Sequence, residues 1–370
     1  MKNIKGKTFN IKNNIYGKFS TKNNIFNRNR IVYCEQIPFL KWNAKAFIVN
    51  NDETKAHKSV GIVQVDKQTK FNEGDIIKIE PNGSCTVVWE NNSPHNAFYV
   101  TDICNSKCIM CPQIVEGCSR YDECIELLKY IDLNNHCSIG ITGGEPTLEP
   151  NKLITLLKQI SKKQRYAKIH ILTNGRKLND INFVKKLAAL EELDITYGIP
   201  IYSNISDEHD NITGINGSFK QTLEGLYNLA KYRQKIEIRI VIMRQNYQKL
   251  KEIADFIYRN LPFVVHIAYM GLEYHGNAEI NYEKIAIDPS EYQQELYEAI
   301  KSCVRYNINA DVYNVPLCLA DNRIENFCKD SISTWKKTYL DICTECTKKD
   351  VCCGVFATSF KQSNFIKPIT

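Results

Sequence analysis

Apolar residues recur along this chain with two different periods, and the pattern changes near residue 96. From 31 to 89, short β-branched and aromatic runs (31–33, 47–49, 60–63, 75–79 and 86–89) alternate with turn residues. Pro81-Asn82-Gly83, between the last two runs, predicts a hairpin turn, because Asn-Gly tolerates the positive φ that tight hairpins need. This stretch predicts a small β-rich domain over 31–96. Beyond it, strand-like runs at 97–101, 138–142, 168–173, 193–199, 236–242 and 264–270 alternate with helical periodicity at 120–131, 151–160, 182–190, 218–232 and 247–259. Six strands with five intervening helices predict an α/β fold over 97–285, with a parallel sheet and right-handed crossovers. Ligands of such sheets sit at the carboxyl ends of the strands. From about 286 the pattern shifts again. A helix over 289–305 and a strand over 308–315 lead into a cysteine-dense, weakly periodic tail that ends at 370, for which a metal staple is the natural support.

Composition narrows the classes. The chain has 370 residues, 43% hydrophobic and 24% charged, which excludes collagen and a disordered chain. No apolar run approaches the roughly 20 residues of a membrane helix, and no secretory h-region is visible, so neither a membrane partner nor export is expected. Fifteen cysteines then read as metal ligands and buried thiols of a cytoplasmic protein rather than as disulfides. The net charge of +7 is local: residues 1–30 carry eight Lys/Arg and no acid, which leaves 40 basic and 41 acidic residues elsewhere. Residues 1–30 are therefore expected to be a mobile or loosely attached basic arm, and the charge is weak evidence for a nucleic-acid partner.

Three motifs carry chemistry. Cys104, Cys108 and Cys111 form a C-x3-C-x2-C triplet directly after the first strand of the α/β region. Three thiolates on one loop can hold three irons of a cubane and leave the fourth open, although a three-ligand zinc knuckle has the same spacing. Gly143-Gly144-Glu145-Pro146 closes the second strand. Paired glycines let a ligand touch backbone, since no Cβ intervenes; alone, the sequence is an ordinary strand-to-helix turn. The third motif is Cys318 with Cys343-x2-Cys346-x5-Cys352, four thiolates that suit a [4Fe–4S] cluster or a zinc site equally. Cys353 adjoins Cys352 and offers an alternative register. Cys34, Cys85, Cys118, Cys124, Cys137, Cys303 and Cys328 have no ligand-like spacing and read as buried or half-buried thiols. Tyr269, Tyr274 and Trp335 read as core.

The first two motifs together resemble the radical S-adenosylmethionine enzymes. The resemblance implies a partial (β/α)6 barrel, a [4Fe–4S] cluster on Cys104, Cys108 and Cys111, and S-adenosylmethionine held by the Gly143, Gly144, Glu145, Pro146 turn. Further matches are Asn174 closing the third strand, Ser203 after the fourth and Arg239 on the fifth, the last two being positions that contact S-adenosylmethionine in peptide-modifying members. Otherwise Ser203 caps a turn and Arg239 makes an ion pair. The tail resembles the auxiliary-cluster extensions of that subgroup, which assigns residues 286–370 to such an extension and keeps Cys352 in register. Residues 74–113, 260–273, 313–318, 331–336 and 343–369 are similar to the His-Xaa-Ser system radical S-adenosylmethionine maturases of the HxsC type. That implies an enzyme modifying a ribosomal precursor peptide with His-Xaa-Ser repeats, alongside a second radical enzyme, a small helper protein and a reductase as electron donor. The other classes open at this point are a radical enzyme acting on RNA or a small metabolite, and a non-enzymatic four-thiolate zinc scaffold.

Overall fold

A computed structural model describes residues 2–22, 29–37, 44–50, 60–66, 71–93, 95–113, 117–133 and 138–370. The chain divides into two compact units, one made of 1–97, 122–139 and 159–167 and the other of 98–121, 140–158 and 168–370.

Among the described residues, the first unit is built on eight strands: β1 (Asn3–Lys5), β2 (Lys7–Phe9), β3 (Ile15–Ser20), β4 (Arg30–Cys34), β5 (Ala46–Val49), β6 (Gly61–Gln64), β7 (Ile76–Ile79) and β8 (Ser84–Trp89). Their order is β1-β8-β7-β3-β4-β5-β6-β2. β1 and β2 are parted only by Gly6, yet they stand at opposite ends of that order. The segment 3–9 therefore pairs with β8 on one side and β6 on the other and closes the sheet into a small barrel. Gly6 is required at the crossing: a Cβ there would lie 2.1 Å from the Gln64 carbonyl oxygen. Phe19, Ile31, Ile48, Val63 and Ile77 fill the core. Residues 3–20 are thus three strands of this barrel rather than an arm; their Lys and Asn face outward while Ile11 and Phe19 face the core. The predicted hairpin is present, with β7 and β8 antiparallel around Gly83 at φ 88°.

The α/β part adds β9 (His95–Thr101), β10 (Ser138–Gly143), β11 (Lys168–Leu172), β12 (Asp194–Pro200), β13 (Lys235–Val241), β14 (His266–Met270), β15 (Ala310–Tyr313) and β16 (Cys328–Lys329). They form one sheet in simple chain order, with β11 through β16 parallel. β9 and β16 are its two ends, so among the described strands this sheet stays open. It has eight strands where six were expected, because β15 and β16 of the C-terminal region join it. The boundary expected at 285 therefore lies inside the second unit. The helices are α1 (Tyr121–Leu127), α2 (Pro150–Lys163), α3 (Ile181–Ala188), α4 (Ser206–Thr213), α5 (Ser218–Lys231), α6 (Leu250–Asn260), α7 (Asn277–Ile280), α8 (Tyr282–Ile285) and α9 (Gln293–Arg305). α6 shows why they form: Leu250, Ile253, Ala254 and Ile257 make one buried stripe at helical spacing. Truncating Ile257 to Ala would cost about 2–5 kcal/mol. α4, α7 and α8 were not anticipated, because they are short and polar. Residues 337–338 and 355–356 form a last pair, β17 (Lys337–Thr338) and β18 (Val355–Phe356). No helix among the described residues is long and apolar enough to cross a membrane.

Candidate active site

The Cys104–Cys111 loop leaves the end of β9 without regular structure, so its shape comes from neighbours. The Lys107 and Ile109 amides donate to the Thr213 and Ile212 carbonyls at the end of α4, at 2.8 and 3.1 Å. At the start of α7, the Asn277 side chain donates to the Cys108 carbonyl at 3.0 Å and its amide to the Cys111 carbonyl at 2.9 Å. The Asn281 side chain holds the Ile109 carbonyl at 3.0 Å. The unanticipated helices are therefore the clamps of the cysteine loop.

The three thiols feel one another. Cys108 is pushed up to about 12, first by burial and then by the sulfurs of Cys111 and Cys104. Burial also raises Cys104, against the Ser106 amide and the Arg176 guanidinium, and it raises Cys111. Tyr202, buried beside them, is raised by burial and then by the same three sulfurs. Among the described residues no three His, Cys, Asp or Glu side chains converge on a point fit for one metal ion. Each thiolate of a cubane takes its own iron, so three neighbouring thiols on one loop suit three irons of a cluster. Binding would require loss of the three thiol protons, which a cationic cluster favours.

The glycine pair meets backbone of its own chain. A Cβ on Gly143 would lie 2.2 Å from the Thr101 carbonyl oxygen, and one on Gly144 2.4 Å from that of Ile103. The Gly144 and Glu145 amides donate to these oxygens at 2.7 and 2.8 Å. The space freed by the missing side chains is thus filled by the backbone leading into Cys104, so the turn braces the cysteine loop directly. Glu145 is fully buried. Its Oε1 accepts from the Thr147 amide at 2.9 Å and the Thr173 hydroxyl at 2.6 Å, and its Oε2 accepts from the Asn174 amide at 2.6 Å. The Thr147 hydroxyl donates to Oε1 as well, at 2.5 Å, and burial raises this carboxyl despite the four donors. Pro146 opens a one-turn helix, and its carbonyl accepts from the Tyr121 hydroxyl at 2.6 Å.

Asn174 continues the brace: its side-chain nitrogen donates to Asn105 Oδ1 at 2.7 Å and Ser106 Oγ at 3.2 Å. Arg176, overlooked in the sequence, donates to the Asn105 carbonyl, to Ser106 Oγ at 3.2 Å and to Gln221 Oε1 at 2.7 Å. Ser203 donates to Glu208 Oε2 at 2.6 Å and accepts from the Ile205 amide at 3.1 Å at the entry to α4. Arg239 donates to Glu237 Oε1 at 2.6 Å. In this structure, then, Ser203 makes a turn cap and Arg239 an ion pair.

The second cysteine group also assembles. Cys318, Cys343, Cys346 and Cys352 line one cavity. Burial raises Cys318, and the Cys352 and Cys343 sulfurs add to it. Cys346 Sγ accepts from the Ile369 amide at 3.4 Å, and Cys352 Sγ from the Gly354 amide at 3.4 Å. Cys353 is buried outside that lining, its thiol donating to the Gly354 carbonyl at 3.3 Å. Four sulfurs around one cavity fit a four-thiolate group. Of the other cysteines, Cys85, Cys124 and Cys303 are buried, Cys34 and Cys328 half-buried and Cys118 exposed; Cys137 lies outside the described residues. Tyr269 is buried and Tyr274 partly so, whereas Trp335 is exposed.

Comparison with known proteins names the class. The family described as Radical SAM superfamily matches residues 98–257, and this segment is a radical SAM domain. The α/β fold agrees: the crystal structure of Streptococcus suis SuiB bound to precursor peptide SuiA superposes with a TM-score of 0.50 at 18% identity, over 60% of this chain and 49% of that one. GTP 3',8-cyclase of Lactiplantibacillus plantarum is 26% identical over 195 residues, 50% of this chain and 56% of that protein. The antilisterial bacteriocin subtilosin biosynthesis protein AlbA of Bacillus subtilis is 26% identical over 166 residues, 44% of this chain and 36% of that protein. The chain thus spans about half, or less, of the length of these curated relatives.

Proposed function

We propose that this protein is a radical S-adenosylmethionine enzyme that modifies a ribosomally made precursor peptide. The observation that carries the reading is the pairing of two thiol groups in one unit. Cys104, Cys108 and Cys111 stand at the end of β9, and Cys318, Cys343, Cys346 and Cys352 stand around a cavity in the tail. A [4Fe–4S] cluster on the first group supplies, when bound, the electron that cleaves S-adenosylmethionine into methionine and a 5′-deoxyadenosyl radical. The chain's own residues prepare that site. The Gly143–Gly144 backbone and Glu145 fix the loop entry, while Asn174 and Arg176 hold Asn105 and Ser106. Ser203 and Arg239 would meet the carboxylate end of S-adenosylmethionine. The four tail thiols would hold an auxiliary cluster.

The resemblance to the His-Xaa-Ser maturases supports a precursor peptide with His-Xaa-Ser repeats as substrate, with a paired radical enzyme, a small helper protein and a reductase as partners. A relative named for biosynthesis of the bacteriocin subtilosin supports a peptide product. A second reading, a radical enzyme acting on a nucleotide or other small metabolite, is favoured by the relatives named GTP 3',8-cyclase. Co-expression of a repeat peptide with and without this protein, read by mass spectrometry, tests the choice. A mass change on the peptide that needs Cys104 supports the peptide reading. An unchanged peptide, together with turnover of GTP by the purified protein, overturns it.

A further inference from the structure

One face of the parallel sheet carries a row of polar and charged side chains of which the function above uses only Arg239. β11 to β15 are parallel and in register, so side chains of one parity form rows across strands about 4.8 Å apart. On the face covered by α5 and α9 the row is apolar and buried, as at Ile171, Ile199, Ile240, Tyr269 and Val312. A sheet buried on both faces would be apolar on both. Here the opposite face presents His170, Glu237, Arg239, His266, Asp311 and Tyr313.

These residues make one connected row. Glu237 Oε1 accepts from Arg239 Nη1 at 2.6 Å and lies 3.3 Å from His170 Nε2. Glu237 Oε2 lies 3.0 Å from His266 Nδ1, and His266 Nε2 lies 3.0 Å from Asp311 Oδ2. The Tyr313 hydroxyl donates to the same Asp311 oxygen at 3.4 Å. The other Arg239 amino group rests on Met270 Sδ at 3.0 Å. Gly198 makes the reach over β12 possible: a Cβ there would lie 2.8 Å from His170 Nε2 and 3.0 Å from Arg239 Cδ.

Ionised carboxylates only accept hydrogen bonds. Both nitrogens of His266 face a carboxylate, so both must donate, and the ring carries both protons. The electrostatics agree. Burial pulls His266 down, but Glu237 and Asp311 outweigh it and raise the imidazole above its ordinary value. Burial likewise opposes the Glu237 charge, and the His170, His266 and Arg239 contacts overcome it and hold the carboxyl far below the usual range.

We propose that Glu237, His266 and Asp311 form a proton-locked brace that fixes the Arg239 guanidinium on the inner face of the sheet, so that Glu237 and His266 are positioning residues for the anion Arg239 meets. On the functional reading above, from which this inference takes its ligand, that anion is the carboxylate of S-adenosylmethionine. Loss of one His266 proton leaves a nitrogen lone pair facing a carboxylate, and the brace opens. The groups facing His266 are Glu237 from β13 and Asp311 and Tyr313 from β15, with Arg239 from β13 and His170 from β11 behind Glu237.

Two measurements on the full chain test this. In the first, the imidazole signals of the seven histidines are titrated by NMR before iron loading, in wild type and in Asp311→Asn. The brace predicts that the His266 ring titrates above the ordinary histidine value of about 6.5 and falls toward it in the variant. A ring that titrates at or below the ordinary value in wild type overturns the brace. In the second, KM for S-adenosylmethionine and kcat for 5′-deoxyadenosine release are followed from about pH 6 to about pH 9 in reconstituted wild type, Glu237→Gln and His266→Gln. Glu237→Gln is expected to raise KM roughly tenfold while kcat stays within about twofold, the scale of one charge-assisted hydrogen bond. Wild-type KM is expected to rise with pH, and His266→Gln to lose that rise. Unchanged KM in both variants overturns the positioning role. If wild type cleaves no S-adenosylmethionine, the functional reading fails, while the histidine titration still decides the brace.

Discussion

Replacing Gly144 by Ala tests the link between the glycine turn and the cysteine loop. The added methyl carbon would stand 2.4 Å from the Ile103 carbonyl oxygen and 2.7 Å from that of Asp102. Ordinary contact needs more than 3 Å, so the two backbones must part by about 1 Å. Both are backbone, and neither has a flexible end that could swing away. The separation breaks the Gly144-to-Thr101 and Glu145-to-Ile103 hydrogen bonds. Two such bonds at about 1 kcal/mol each, with about 1–3 kcal/mol for overpacking, make a loss of about 3–5 kcal/mol. Ile103 immediately precedes Cys104, so the same shift displaces the first thiol. Gly217→Ala is the control: its Cβ meets nothing within 4 Å, and only its φ of +78° resists, which costs about 1–2 kcal/mol. Denaturant unfolding and iron content after anaerobic reconstitution are the assays. Gly144→Ala should unfold well before Gly217→Ala and retain less iron. Equal stability of the two variants with full iron in both would refute the reasoning.

Three further outcomes follow from the same contacts. Arg176→Ala removes the donors to the Asn105 carbonyl and Ser106 Oγ together with a positive charge beside the thiols; iron should be lost to a chelator severalfold faster, with little rescue by Lys, which lacks the planar fork. In the absence of the first three thiols, Cys352→Ser should empty the tail of iron and Cys353→Ser should not, read by metal analysis, because Cys352 lines the cavity and Cys353 does not. His266 has a raised value in the folded chain, so its contribution to stability is full below the ordinary histidine value and disappears as pH rises through the folded one. Unfolding curves should therefore show wild type losing more stability than His266→Gln between about pH 6 and about pH 9.

Particular residues show how much was legible in advance. The β/α alternation was readable because Ile236, Ile238 and Ile240, and their counterparts on β11 and β12, repeat at period two under amphipathic helices. The cysteine groups were readable because ligand spacing is local, at 104–111 and 343–352. The inner-face row was missed because its contacts join residues 29 and 45 positions apart. The available signal was Lys235, Glu237 and Arg239 at alternate positions of β13, a strand that should be buried on both faces. The barrel closure was missed for a related reason: its first two strands are three residues each, Lys-rich, and paired with β8 and β6 far along the chain. The glycine pair was seen but its partner was not, since nothing local reveals that the 101–103 backbone occupies the free space.

The central claim is that Cys104, Cys108 and Cys111 hold a cluster that cleaves S-adenosylmethionine. The most direct measurement is 5′-deoxyadenosine formation under reduction by the anaerobically reconstituted protein, beside a variant with all three cysteines replaced by Ala. The account predicts an iron- and sulfide-loaded wild type that releases 5′-deoxyadenosine and a triple variant that releases none. A triple variant that still forms it, or a colourless, zinc-loaded wild type that never does, would contradict the account.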